Sequence, residues 1–219
     1  GKDVDAKGKL IPRKERLELA KKFVTAGCTT ATYALESAND KILETMNKRV
    51  KKKYFKEQVN ICREAGLITN TTIIIGYPEE TPETIAETMG TAEKLRIYPS
   101  TGFLMPLPET GMWKYALEKG YIKGIDTYLT QLTERQDFHL NMTSMTDEQI
   151  NKETLKWLNR INKNLGNKLT KETLLKTGGE DSNTPHQTRE RKIPDEILVE
   201  RNITTSDSLN YAKTSGTVR

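Results

Sequence analysis

Apolar residues recur along this chain with two alternating periods, and the switching between them predicts a series of helices and strands. After a polar, glycine-containing leader over residues 1–11, Pro12 suits the first turn of a helix. Leu17, Ala20, Phe23 and Val24 fall on one face of it, and Gly27 sits where a left-handed C-terminal cap belongs. Residues 30–35 alternate through Ala31, Tyr33 and Leu35, as a strand does. Asn39 or Asp40 can cap a short helix holding Ile42, Leu43 and Met46. The spacing of Phe55, Val59 and Cys62 predicts a helix over about 53–65, stopped by Gly66.

A β-branched run over 71–75 then reads as a strand buried on both faces of a parallel sheet. Gly76-Tyr77-Pro78 breaks it, and Thr81-Pro82 opens the next helix, with a hydroxyl cap and Pro at the first position. Ile85, Met89, Ala92 and Leu95 form the buried stripe of that helix, and Pro99 ends it. Residues 101–105 make a third strand, followed by Pro106, Pro108 and a helix over about 112–119 that stops at Gly120. Residues 121–145 read as a strap or short helix. Thr146 and Gln149 then form a capping box ahead of a long amphipathic helix through Ile150, Trp157, Ile161 and Leu165, ending near Gly166. From 177 onward the chain is rich in Gly, Ser, Thr and Asn with one aromatic, Tyr211, too little apolar surface to offset the entropy of ordering, so a disordered tail is expected.

The order α-β-α-α-β-α-β-α points to an α/β fold with parallel strands joined by helical crossovers. Three strands are too few to close an eight-stranded barrel and enough for half of one. The expected organisation is a leader at 1–11, a partial βα barrel at 12–120, a helical extension at 121–176 and the tail at 177–219.

Composition narrows the chemistry. The chain has 219 residues, of which 35% are hydrophobic and 30% charged, with a net charge of +5, two Cys and two His. The longest aliphatic run is Ile73-Ile74-Ile75, so no membrane span is expected. Two cysteines exclude a disulfide framework, a zinc ribbon and a fully cysteine-ligated iron–sulfur site, and two histidines exclude a His-rich metal centre. With no signal-peptide pattern at the start, a reducing cytoplasmic location is expected. Residues 1–63 hold 16 Lys/Arg against eight Asp/Glu, whereas 64–124 hold five against eight. This reads as a solvated basic face, the run at 48–53 included; without zinc-finger spacing or an aromatic-rich RNA-binding strand, nucleic acid is not an expected partner. Cys28 and Cys62 are expected to pack as small apolar residues.

Three strand ends carry the candidate chemistry. At the end of the first, Glu36 and Ser37 offer a carboxylate and a hydroxyl to an ammonium group or ribose hydroxyls, although on these residues alone a helix-capping Ser37 is the favoured reading. At the end of the second, Gly76 lets a flat ligand approach main-chain groups, with Glu79 and Glu80 flanking the next helix N-terminus. At the end of the third, Met105-Pro106-Leu107-Pro108 makes a rigid loop that can wall a pocket. In parallel α/β folds ligands gather at these ends.

Taken together, Gly27-Cys28, Leu35-Glu36-Ser37, Met46-Asn47-Lys48, Gly66, Ile75-Gly76-Tyr77-Pro78-Glu79-Glu80-Thr81 and Pro106-Leu107-Pro108-Glu109-Thr110 resemble the second half of a radical S-adenosylmethionine (SAM) enzyme core over roughly residues 15–165. The nearest resemblance is to the subgroup that often carries a cobalamin-binding domain ahead of the core. The resemblance implies that Glu36 and Ser37 hold the amino-acid or ribose part of SAM and that Lys48 meets its carboxylate. It implies that Ile74, Gly76 and Glu79 form the adenine side, and that Met105 and Pro106 lie near adenine or substrate. Several positions depart from the family pattern. Tyr33 and Ala34 stand where Gly and Ile are usual, Thr72 replaces the first Gly of the adenine-side pattern, and Glu79 and Glu109 replace the Gly of two Pro-Gly turns.

The family holds a 4Fe–4S cluster with Cys-x3-Cys-x2-Cys, and Cys28 and Cys62 match neither that spacing nor its position. The resemblance therefore implies that the cluster, and any cobalamin, is held outside this chain, which alone is expected to be inactive. It also implies a partner: the missing N-terminal half of the barrel, in the same gene or a separate chain, or a second copy. The substrate is expected to be a small molecule or peptide. Two other readings remain at this point, a non-catalytic α/β nucleotide-binding or partner-binding module and a basic nucleic-acid-binding domain.

Overall fold

A computed structural model describes residues 11–48 and 50–175. Helix α1 (Arg13–Thr25) leads into strand β1 (Thr30–Glu36), followed by α2 (Asp40–Thr45), α3 (Lys52–Glu64) and β2 (Ile68–Ile75). Helix α4 (Pro82–Lys94) and β3 (Ser100–Phe103) follow, then α5 (Gly111–Glu118), α6 (Ile125–Gln131) and α7 (Asp147–Leu165). The three strands form one parallel sheet in the order β1-β2-β3, the α/β arrangement that the alternation implied. Among the described residues no helix is long and apolar enough to cross a membrane. Arg49, the expected tail and all but the last residue of the expected leader lie outside the described residues.

Local chemistry explains most of the boundaries. Asn39 caps α2 by accepting from the Ile42 N–H at 3.2 Å. Thr81 and Thr84 form a reciprocal capping box at α4, as Thr146 and Gln149 do at α7. Helix α4 stops at Leu95, with Arg96 in the left-handed region (φ 53°), earlier than Pro99 required. Strand β2 begins at Ile68, ahead of its β-branched run, and β3 is shorter than expected.

The main core lies where β2, α4 and α7 meet. Ile73 and Ile75 pack against Ile85, Met89 and Ala92, with Ile150, Leu158 and Ile161 closing from α7. Leu158 is fully buried while Trp157 is only partly so. The inward line of α7 therefore runs through Ile150, Thr154, Leu158 and Ile161, and Trp157 instead stacks under the Arg160 guanidinium at 4.8 Å. Along β2 burial alternates, with Thr69, Thr71, Ile73 and Ile75 buried and the residues between them half-buried. One face is thus covered more fully than the other, in place of equal burial on both.

The two sheet edges differ. On the β3 side, the Phe103 N–H donates to the Arg135 carbonyl at 2.7 Å, the Arg135 guanidinium donates to Ser100 Oγ at 2.6 Å, and Phe103 meets Phe138 edge to face. A strap from the 121–145 region thus lies along that edge. On the β1 side no strand pairs among the described residues, and Thr30, Thr32 and Ala34 are exposed. Leu19, Phe23 and Val24 of α1 are also exposed, contrary to the expectation that Phe23 and Val24 belong to a buried face. An apolar groove of about 390 Å³ runs there, lined by Leu19, Phe23, Cys28, Ala31, Tyr33 and Leu67 among others. Cys28, past the end of α1, is exposed rather than packed, because no second layer covers it among the described residues; Cys62 is buried.

Candidate functional site

Parallel pairing brings the C-terminal ends of β1, β2 and β3 to one side of the sheet, and register makes them neighbours: Glu36 is opposite Ile73, and Ile75 is opposite Phe103. Glu36 ends β1 just after an irregularity in the pairing and has φ 62°, in the left-handed region. One of its carboxylate oxygens accepts from Lys48 Nζ at 3.0 Å and the other from Thr72 Oγ at 3.3 Å. Lys48 reaches it because the chain turns back after α2. Asn47 takes a positive φ of 52° there, and the Lys48 N–H donates to the Leu43 carbonyl. Thr72 thereby joins the charge cluster.

Glu79 is anchored on the opposite flank. Its Oε1 accepts from Thr45 Oγ at 3.1 Å, while its Oε2 is buried with no hydrogen-bond partner. Both acids act on Tyr77, whose hydroxyl is pushed above its ordinary value first by burial and then by the carboxylates of Glu36 and Glu79. The site thus collects two carboxylates, one ammonium and two threonine hydroxyls around a buried phenol. An orphaned carboxylate oxygen suits a ligand that brings N–H or O–H donors.

Gly76 follows β2 with φ 107°. A Cβ placed there would meet Leu104 at 3.8 Å, an ordinary contact, so the backbone angle rather than lack of space selects glycine. Its N–H donates to Glu80 Oε2 at 3.4 Å. Glu80 is almost wholly buried, and its Oε1 accepts from Thr84 Oγ at 2.5 Å. It does not flank the α4 N-terminus in solvent, as its place in the sequence suggests. Burial pushes its carboxyl up to about 7, against the opposing pull of the Thr84 hydroxyl and the Gly76 N–H.

Ile74 is half-buried against the cluster of Tyr77, Leu104 and Trp113. The Leu104 N–H donates to the Ile75 carbonyl at 2.7 Å, tying the β2 and β3 tips together. Met105 is half-buried and Pro106 buried, and the Pro106 carbonyl accepts from the Tyr128 hydroxyl of α6 at 3.0 Å. Ser37 points elsewhere. It is 1% exposed, with its Oγ 3.2 Å from Thr88 Oγ of α4 and accepting from the Asn39 N–H. Of the candidate residues, then, Glu36, Lys48, Ile74, Gly76, Glu79, Met105 and Pro106 sit at adjacent strand tips, while Ser37 ties β1 to α4. Sequence reasoning did not find the roles of Thr72, Thr45, Glu80 and Tyr128. For Glu80 the available signal was a carboxylate directly ahead of an N-cap threonine and four residues after a glycine.

Among the described residues no group of three or more His, Cys, Asp or Glu is placed to hold a metal ion. The Cys62 thiol is engaged within the fold, 2.9 Å from the Tyr33 hydroxyl.

Comparison with known proteins gives the site a context. The radical SAM superfamily model matches residues 8–92. An uncharacterized methyltransferase of Pyrococcus horikoshii is 34% identical over 101 residues, 46% of this chain and 22% of that protein. A tRNA-2-methylthio-N(6)-dimethylallyladenosine synthase of Desulfosudis oleivorans is 32% identical over 83 residues, 36% of this chain and 18% of that protein. The matched stretch thus spans about a fifth of the length of these relatives. Among solved structures, coproporphyrinogen III oxidase from Escherichia coli, a radical SAM enzyme, superposes with a TM-score of 0.47 at 21% identity, covering 66% of this chain and 30% of that one. The radical SAM methyltransferase TsrM from Kitasatospora setae, solved with cobalamin and a 4Fe–4S cluster bound, superposes with a TM-score of 0.42 at 25% identity, covering 48% and 22%.

Proposed function

We propose that this chain, whose residues 8–92 match the radical SAM superfamily model, supplies the S-adenosylmethionine and substrate contacts of a radical SAM enzyme whose iron–sulfur cluster is held by a different polypeptide segment. The observation that carries the reading is the polar cluster at the β1 and β2 tips: Glu36 held by Lys48 and Thr72, and Glu79 with its orphaned Oε2, both acting on Tyr77. SAM presents an ammonium group, two ribose hydroxyls and an adenine amine, all donors, and these acceptors fit them. In this reading Glu36 accepts from the ammonium or ribose, and Lys48 shifts from Glu36 toward the SAM carboxylate. The Gly76 turn and Ile74 border the adenine, and the Met105–Pro106 segment closes the adenine or substrate side.

The cluster does not fit this chain. Only two cysteines are present, one exposed and one buried beside Tyr33, and no step through a cluster is assigned to these residues. Nor is a cobalamin ligand assigned. The three cysteines belong, on this reading, to a partner that completes the sheet. The β1 edge, on which no strand pairs among the described residues, and the exposed apolar residues of α1 support a docking place for it, or for a second copy. The substrate is a small molecule or peptide.

Calorimetric titration of the full chain with SAM tests the reading. Binding is expected, with an affinity at least tenfold weaker in Glu36→Gln, and the chain with iron, sulfide and dithionite is expected to release no 5′-deoxyadenosine. Absence of SAM binding, or equal binding by the variant, refutes it.

A further inference from the structure

The Gly76 turn is held from behind by a residue that the binding site itself does not use. Glu80 is 1% exposed, and its two oxygens have different tasks: one receives the Gly76 N–H, the other the Thr84 hydroxyl. The Thr84 hydroxyl also receives the Thr81 N–H at 2.9 Å, within the capping box of α4. A single carboxylate therefore joins the positive-φ turn after β2 to the first turn of α4. The adjoining Glu80 N–H donates to the Tyr77 carbonyl at 2.8 Å, which closes the turn upon itself.

We propose that Glu80 is a positioning residue: its buried carboxylate holds the Gly76 turn in its ligand-facing conformation, so that proton uptake by Glu80 loosens the turn and weakens adenosyl binding at the strand tips. The inference rests on the adenosyl-binding reading given above. The physical reason is the difference between the two forms of the side chain. A carboxylate accepts from both the Gly76 N–H and the Thr84 hydroxyl in charge-assisted bonds, which are roughly twice as strong as neutral ones. A protonated carboxyl keeps one of those acceptors neutral and turns the other into a donor. The Thr84 hydroxyl, which also lies 3.0 Å from the Thr81 carbonyl, can redirect its hydrogen there and accept from Glu80 instead. Both forms are satisfied, but only the ionised one grips Gly76 with a full charge. The groups touching Glu80 from the strand tip and from α4 are uncharged. The acid that acts on it through space is Glu79, from the same turn, and that repulsion favours proton uptake. Burial places the exchange near pH 7.

The probe is 5′-deoxyadenosine, a neutral ligand without a group that titrates around neutrality, used with the full chain. Its affinity is expected to rise about fivefold from pH 6 to pH 8 in the wild type, in line with the stronger ionised bond, and to stay flat in Glu80→Gln. The Gly76 amide resonance, followed in ¹⁵N-glycine-labelled protein without ligand, is expected to titrate with the same midpoint. That titration is expected to vanish in Glu80→Gln and to move to higher pH in Thr84→Val, which removes a bond that favours the carboxylate. A purely structural role for Glu80 would not move the midpoint. A Gly76 resonance that does not titrate, or that titrates unchanged in Glu80→Gln, overturns the proposal whatever the ligand does. A titrating Gly76 with no 5′-deoxyadenosine bound at any pH supports the positioning role and overturns the adenosyl-binding reading.

Discussion

Replacing Glu36 by glycine separates what this residue does for the fold from what it does for the site. Glu36 holds φ 62°, a conformation that costs a residue with a Cβ roughly 1–2 kcal/mol and glycine nothing. Glycine in turn forfeits roughly 0.5–1 kcal/mol through the freedom of its unfolded chain. The lost side chain gives up its pair with Lys48, which is one-third exposed, and a 3.3 Å bond from Thr72, together about 1 kcal/mol after solvent screening. These contributions nearly cancel, so Glu36→Gly is expected to change unfolding stability by less than about 1 kcal/mol. SAM affinity, if Glu36 accepts from the ligand, falls at least tenfold in the same protein. Glu36→Gln, which keeps the strained angle and loses the charge, is expected to be the less stable of the two. Urea unfolding followed by circular dichroism, beside calorimetric titration with SAM, measures both quantities on one preparation. A loss of more than about 2 kcal/mol in Glu36→Gly would show that the carboxylate is a structural keystone and that the strained backbone is not a functional investment.

Two further outcomes follow from the core and from Glu80. Leu158→Ala removes a fully buried side chain between α7 and α4 and is expected to lower stability by about 3 kcal/mol, with SAM affinity unchanged because this cluster sits away from the strand tips; a loss below about 1 kcal/mol would show that α7 is not packed there. The Glu80 carboxyl titrates at about 7 in the folded chain against an ordinary 4.5, so between those values the folded state holds a proton that the unfolded state has released. Stability therefore falls as pH rises from about 4.5 to 7, by about 3 kcal/mol from this group. Wild-type stability relative to Glu80→Gln, measured by urea unfolding at pH 5 and pH 8, is expected to decline accordingly, and a constant difference would refute the assignment.

Much of this arrangement was legible in the sequence because it rests on local rules. Thr81-Pro82 and Thr146 with Gln149 carry their own capping chemistry, and the period-3.6 line through Ile85, Met89 and Ala92 marks the face that meets β2. Parallel alternation placed Glu36, Gly76 and Pro106 at neighbouring tips before any coordinates. What escaped depended on packing between distant segments. Phe23 and Val24 have the spacing of a buried stripe, yet among the described residues both stay exposed, Phe23 at the rim of the apolar groove. Ser37 follows the β1 tip, but the Thr88 hydroxyl from α4 draws it away from the site. Glu80 resembles an ordinary first-turn acid until the fold turns it inward onto Gly76. The strap through Arg135 has no periodic pattern, since it holds the β3 edge through main-chain and guanidinium bonds and the single ring contact of Phe138 rather than a repeating apolar stripe.

Among the described residues that strap leaves the sheet with one edge, β1, on which no strand pairs. With Arg135 bonded to Phe103 and Ser100, and a Cβ at Gly102 just 3.0 Å from the Arg135 carbonyl, a newcomer strand finds no row of vacant hydrogen-bonding groups on that flank. If the proposed second copy pairs through β1, the covered β3 flank is expected to stop the assembly at two molecules. On that pairing the blocked flank is a chain terminator, and concentrated protein is expected to form finite assemblies instead of fibrils.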